Sequence, residues 1–354
     1  MTMNVLNSLN SALHKLLSED PRVVVVGEDL LDPYGGTFKV TKGLSSKFPE
    51  RVLTTPLCEA GFTALAAGMA IRGLRPIVEI MFGDFLMLAA DQIVNHIGKY
   101  RWMYNDQVRV PLVIRTPMGG RRGYGPTHSQ TLEKHFIGVP GWHVVAPSPF
   151  HEPGALLYRA VLEDDDPVLF IENKTMYARA VREAPVDGRL GDFYTRTTSS
   201  RYPTVLMSFD SFRHADVTLI AYGGMAELAE AAADRVLLAE ELFCEVVVPS
   251  SLTPVELDPI LDSLRRTGRL VICEEGTQPA GWAAEVIALV SSSAFDLLQA
   301  PPQRVAARNL PIANTSTLER AILPQVEDIE QAVLSMCSRP RRTASQPGRA
   351  LSCT

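Results

Sequence analysis

Residues 22–28 read RVVVVGE, four consecutive valines that stop at a glycine and an acid. A β-branched run this short, with no polar residue to mark a solvent face, predicts a strand buried on both sides, as in a parallel sheet. Working outward, runs of the same kind recur as RPIVEI (75–80), VPLVIRT (110–116), WHVVAPS (142–148) and PVLFIEN (167–173). Helical stretches at 59–73, 84–99 and 151–163 separate them. Upstream, Val5, Leu6, Leu9, Ala12, Leu13, Leu16 and Leu17 fall at helical spacing and predict a first helix rather than a signal core. Strand–helix alternation of this sort predicts an α/β fold, a mostly parallel sheet with helices on both faces.

The 354 residues exceed what one small core uses, and the pattern divides them. Residues 1–180 form the first expected domain. Over 181–210 the charge is mixed, Gly, Pro and Ser/Thr are frequent and no period holds, so this stretch reads as an interdomain connection with room for a short hairpin. Alternation resumes over 211–338 (VTLIAYG, CEVVVPS, RLVICEEG with helices between) as a second, smaller α/β domain. Residues 339–354, rich in Pro, Ser and Arg, read as a disordered tail. A net charge of −6 offers no basic surplus for a nucleic-acid backbone or an anionic membrane. No apolar stretch approaches the ~20 residues of a membrane span. Five cysteines, odd in number and without CxxC spacing, predict reduced thiols in a cytoplasmic protein.

Three stretches carry candidate chemistry. In TTPLCEAGFTALAAGMAIRG (54–73), Glu59 stands alone at the mouth of a small-residue apolar helix. Two readings stand: an acid favoured by the helix dipole, or a buried acid kept for proton work, its pKa raised by desolvation. EIMFGDFLMLAADQI (79–93) places Phe82 and Phe85 before a helix with Asp91 and Gln92, as core or as a flat platform for a ring. TPMGGRRGYGPTHSQ (116–130) follows a strand at the edge where open α/β sheets bind ligands, and ends in His128, either solvated or a general acid–base. It is neither GxGxxG nor a Walker loop. No GxSxG, HExxH or His/Cys metal cluster occurs. VLEDDDP (161–167) reads as a solvated helix end, or as a turn whose carbonyls hold a hard cation.

Taken in order, VVVVGEDLLDPYGGTFKVTKGL, RVLTTPLCEAGF, GLRPIVEIMFGDFLMLAADQI, PLVIRTPMGG, THSQ and DDDPVLFIENKTMY resemble the β subunit of thiamine-diphosphate-dependent 2-oxoacid dehydrogenases, the first components of pyruvate and branched-chain complexes. The resemblance runs from about residue 4 to 338. It implies a transketolase-like pyrimidine-binding domain followed by a transketolase C-terminal domain. It also implies oxidative decarboxylation of a short, pyruvate-like 2-oxoacid with acetyl-type transfer to the lipoyl group of an acyltransferase.

By that resemblance Glu59 hydrogen-bonds the pyrimidine nitrogen and drives proton removal from the thiazolium carbon, Phe85 stacks on the pyrimidine, and His128 assists acyl transfer. Leu57 and Gln92 line the same cleft. A structural K⁺ is implied at Leu112, Ala160, Val161, Glu163 and Asp165. The diphosphate and its Mg²⁺ are implied to sit on an α subunit, since no GDG-type motif occurs here, in an α₂β₂ heterotetramer active only when both subunits are present. The stretch PSSLTPVEL, with Ser250 and Ser251, lacks the arginine that relatives carry before the Pro-led helix. The implied contact with an acyltransferase core weakens there. Thiamine-dependent transfer to another carrier protein, carboligation, and a non-catalytic scaffold subunit are the alternative readings.

Overall fold

The valine run forms β1 (Val23–Gly27), every residue of it buried. The computed structural model describes residues 3–338. In it β1 is paired in parallel with β2 (Val52–Thr54) and β3 (Arg75–Glu79). β4 (Val113–Met118), β5 (His143–Val145) and β6 (Val168–Asn173) extend the sheet in the same sense, in the spatial order β5-β6-β4-β3-β1-β2. The five helices of this half are α1 (Val5–Glu19), α2 (Leu44–Lys47), α3 (Glu59–Ile71), α4 (Gly98–Met103) and α5 (Pro153–Leu162). Alternate valines explain the two-sided burial. Val23 and Val25 join α1 and α5 in one core, through Leu9, Leu13, Leu156 and Leu157. Val24 and Val26 join α3 in another, through Phe62, Ala66 and Ala70. Side chains two apart share a face, so an all-apolar strand serves both layers.

The helical stretch expected at 84–99 is irregular. A 3₁₀ turn (Gly83–Ala89) leads into a π-helical turn (Gln92–Ile97) before α4 begins. The Trp142 indole donates to the Ile93 carbonyl at 3.0 Å, and that carbonyl also takes the Gly98 N–H five residues on. A side chain entering the ladder in this way widens it locally.

The second half has a sheet of its own, which takes in strands from the stretch before it. Residues 181–210, expected as a connection, contain β7 (Asp187–Leu190), β8 (Phe193–Thr197) and β9 (Thr204–Ser208), an antiparallel meander. The β7 strand is largely exposed, so it lacks the apolar period that would reveal it. This meander is added to β10 (Val217–Ala221), β11 (Cys244–Pro249), β13 (Leu270–Thr277) and β14 (Gln303–Ala307), in the order β14-β13-β10-β11-β9-β8-β7. Helices α6 (Met225–Glu240), α7 (Leu257–Thr267), α8 (Trp282–Ala294), α9 (Ser316–Ile322) and α10 (Val326–Cys337) complete it. β12 (Ser251–Thr253) leaves its own half and pairs antiparallel with β5, so the PSSLTP stretch closes one edge of the first sheet. The tail expected over 339–354 lies outside the described residues. Among the described residues no helix is long and apolar enough to cross a membrane.

Candidate active site

Four segments leave the first sheet at its C-terminal edge: β1 into Glu28, β3 into Phe82 and Phe85, β4 into the 119–130 loop, and β6 into Lys174. Ligands of open α/β sheets bind at this edge. Gly27 is required there, because a Cβ on it would lie 2.5 Å from the Glu79 carbonyl oxygen.

Glu59 opens α3 after a Cys58 N-cap and is 9% exposed. The sequence pattern does not single out the acid beside it. Glu28, at the end of the valine strand, is buried with Oε1 unpartnered among the described residues. Burial, then the charges of Glu59 and Asp29, push the Glu28 carboxyl up to about 7 against the opposing Cys58 N–H. Two buried carboxylates thus stand near one another at one edge, and the Glu28 carboxyl is raised into the neutral range. The only signal in the sequence is that RVVVVGE ends in an acid at the ligand edge.

A wall of rings stands on the same edge. His128 meets Phe82 edge-on at 4.8 Å between ring centroids and Phe85 at 5.2 Å. Phe82 and Phe85 meet edge-on at 5.9 Å, and Phe82 also touches Phe38 and Tyr124. Phe82, one half of the expected aromatic pair, is therefore the hub, while Phe85 is half-buried at the surface of the core that contains Phe62. His128 Nδ1 lies 2.9 Å from Thr127 Oγ1. Gln130 Nε2 donates to Asp84 Oδ1 at 2.8 Å, tying the loop to the 3₁₀ turn. Lys174 is fully buried, donates to the His128 carbonyl and lies over the Phe82 ring at 5.1 Å. Burial pulls its ammonium down to about 8. A lysine directly after the apolar run VLFIEN was its one trace in the sequence.

Of the expected site residues, Phe85 and His128 are brought into contact, and Glu59 stands beside Glu28. Leu57 precedes Glu59 by two residues and is 80% exposed. Gln92 sits on the π turn and donates to Asp91 at 3.2 Å.

Leu112, Ala160, Val161, Glu163 and Asp165 lie at the opposite end of the sheet, around the α5–β6 turn. The three aspartates there are paired, while Glu163 is exposed. Asp164 is buried and takes hydrogen bonds from His143 (2.7 Å) and the Tyr202 hydroxyl (2.8 Å). Arg75 and Arg109 hold Asp165, and Arg101 holds Asp166. The Arg75 guanidinium also donates to the carbonyls of Val161 and Asp164, each at 2.8 Å, and the Leu112 carbonyl takes the Val168 N–H. Among the described residues no cluster of three or more His, Cys, Asp or Glu could hold a metal ion.

Comparisons with known proteins agree with this architecture. Residues 1–179 match the domain family described as transketolase, pyrimidine binding domain, and residues 212–329 match the transketolase C-terminal domain. The chain is 38% identical over 341 residues to the mitochondrial pyruvate dehydrogenase E1 component subunit beta-1 of Arabidopsis thaliana, covering 96% of this chain and 90% of that one. It is 36% identical over 340 residues to the pyruvate dehydrogenase E1 component subunit beta of Rickettsia bellii, covering 95% and 99%. With the acetoin:2,6-dichlorophenolindophenol oxidoreductase subunit beta of Bacillus subtilis it shares 36% over 348 residues, covering 94% and 97%. A solved split-gene transketolase, described as an inactive β4 tetramer, has the same fold, with a TM-score of 0.72 at 23% identity over 95% of this chain and 99% of that one.

Proposed function

The chain belongs to the family of pyruvate dehydrogenase E1 component β subunits, and from that premise we propose that it is the β half of a thiamine-diphosphate-dependent 2-oxoacid dehydrogenase. It would decarboxylate a short 2-oxoacid oxidatively and pass the acyl group to a lipoyl arm. One observation carries the reading: buried Glu59, beside a Glu28 whose carboxyl is raised to about 7, shares a sheet edge with the ring wall of Phe82, Phe85 and His128.

The unpartnered Glu28 Oε1 and the aromatic wall fit a flat heteroaromatic ring that exchanges a proton. Thiamine diphosphate, when bound, supplies a thiazolium that accepts the electrons released as the carboxylate leaves. Glu59 would hold the proton at a pyrimidine nitrogen, and Glu28, its carboxyl pushed up to about 7, opposes a second full charge there. Phe85 and Leu57 bound the ring's position, with Gln92 at the cleft margin. His128, whose imidazole can both donate and accept a hydrogen bond, serves the acyl-transfer step.

An α subunit is the proposed partner and would hold the diphosphate and Mg²⁺. Leu57, Leu65, Met87, Leu88, Trp102 and Met103 are exposed on the segments around the candidate site, and such a set of apolar side chains suits a protein interface. A K⁺ at the α5–β6 turn would use second lone pairs on carbonyls that Arg75 and Val168 already engage. A higher Tm in KCl than in choline chloride would support it. Cytoplasmic placement is kept in the same proposal, because Cys58, Cys244 and Cys273 are free thiols.

The test is reconstitution with the product of an adjoining α-type reading frame, followed by a panel of 2-oxoacids and acetoin, scored by dye reduction and by acylation of a lipoyl domain. Glu59→Gln should lower turnover by about 10²-fold or more, with little change in Tm. Undiminished turnover in that variant would refute the assignment. Acylation of a carrier protein or an acyloin product, without lipoyl acylation, would move the reaction to carrier transfer or carboligation.

A further inference from the structure

Resting on the role given to His128 above, we propose that Glu319 and Glu275 of the second domain are positioning residues for His128, gripping the glycine loop that carries it through that loop's backbone N–H groups. The loop leaves β4 with Gly119 at φ 95° and Arg121 at φ 65°. For a residue with a side chain the left-handed region costs about 1–2 kcal/mol, so other contacts must hold it.

Those contacts come from across the domain boundary. Glu319, on α9, accepts from the Arg121 N–H at 2.7 Å and the Gly123 N–H at 3.3 Å. Glu275, on β13, accepts from the Gly120 N–H at 2.6 Å and from the Asn173 side-chain amide at 3.2 Å. Both carboxylates are buried. The Arg121 and Gly123 N–H groups converge on one carboxylate and the Gly120 N–H on the other, so both acceptors of the loop's backbone are supplied by the chain itself. Hydrogen bonds to an ionised acceptor are about twice as strong as neutral ones.

The paired glycines are what let the carboxylates close. A Cβ on Gly119 would lie 2.9 Å from Glu275 Oε1, and one on Gly120 would lie 2.6 Å from Leu323 Cδ1 and 3.1 Å from Glu319 Oε1. Arg121 reaches back across the boundary to the Pro324 carbonyl at 2.5 Å. At the loop's other end Lys174 holds the His128 carbonyl. The loop is thus pinned at its start by the second domain and at its finish by β6, and the imidazole is left against Phe82 and Phe85. The C-terminal domain would act on chemistry through a residue it does not contain.

The test uses the full chain with its α subunit and measures the ratio of lipoyl acylation to dye-linked decarboxylation. His128→Ala sets the scale and should lower that ratio about tenfold or more. Glu319→Ala should lower it in the same sense. Glu319→Gln, which keeps an acceptor oxygen, should restore most of it. The double variant Glu319→Ala/His128→Ala should fall no lower than His128→Ala alone, because the two act as one unit. Should Glu319→Ala fail to fold, Gly120→Ala opens the same clamp from the loop side. A shifted ratio in His128→Ala with a wild-type ratio in the folded clamp variant overturns the clamp alone, as do additive losses in the double variant. A wild-type ratio in His128→Ala overturns the role of His128 and the clamp with it.

Discussion

Replacing Glu28 by Gln should stabilise the isolated chain at pH 8 and leave it nearly unchanged at pH 4.5. The carboxyl is pushed up to about 7 by burial and by Glu59 and Asp29, from an ordinary value of 4.5. A carboxyl with a raised folded value contributes its full stability while protonated, below 4.5, and loses it as the pH climbs to about 7. That interval corresponds to a ceiling of about 3.4 kcal/mol. Screening by nearby water reduces the usable part to about 1–2 kcal/mol. An amide has the same shape and does not ionise, so the variant escapes the loss. Urea denaturation at pH 4.5, 6 and 8, at fixed protein concentration, reads the difference between variant and wild type. It should be near zero at the lowest pH and reach the full value by pH 8. A difference that is flat with pH, or a variant less stable at pH 8, would refute the idea that burial and the neighbouring charges hold the Glu28 carboxyl up.

Two further perturbations probe the scaffold. Arg115 is 1% exposed and donates to both Glu79 and Glu172, the latter also holding the Tyr177 hydroxyl. Arg115→Met should cost about 3–5 kcal/mol at pH 7 by stranding two buried carboxylates. A loss under about 1 kcal/mol in urea denaturation would contradict that. At the α5–β6 turn, burial would raise Asp164, yet the His143 and Tyr202 hydrogen bonds hold it down to about 2. Its depressed value means stability that is complete above about pH 4 and drains away toward pH 2. Near-UV circular dichroism should therefore show Asp164→Asn less stable by about 1–2 kcal/mol at neutral pH, with a shallower acid transition; an unchanged acid limb would refute it.

What the sequence reveals follows from which forces leave a local trace. Two-sided burial writes itself into consecutive valines, and an amphipathic face into the spacing of Leu9, Leu13, Leu16 and Leu17, so the first sheet and α1 are legible. The exposed β7 strand is specified by cross-strand pairing with β8, a long-range cause with no apolar period, and it reads as linker. The three aspartates of the EDDD run look solvated because their partners, Arg75, Arg101, Arg109, Arg201 and His143, come from scattered positions. In the candidate site, Phe85 and His128 stand out within dense local motifs. Glu28, Lys174 and the two carboxylates of the second domain do not, since each acquires its meaning only where distant strand ends and helices converge. Phe82 reads equally well as core or as platform; it is buried and is the hub of the ring contacts with Phe38, Phe85, Tyr124 and His128.

The short β12 strand sets how this protein can be taken apart. Ser251 and Thr253 pair with Val145 and Val144, the Ser250 carbonyl takes the Ala146 N–H at 2.8 Å, and the Leu252 carbonyl takes the Trp282 indole at 2.9 Å. A shortened product ending between the halves would present β5 as a raw margin of unmet N–H and C=O groups, primed for self-association. The two halves are sewn by a thread lent from one to the other, and neither is a module to be swapped or expressed by itself.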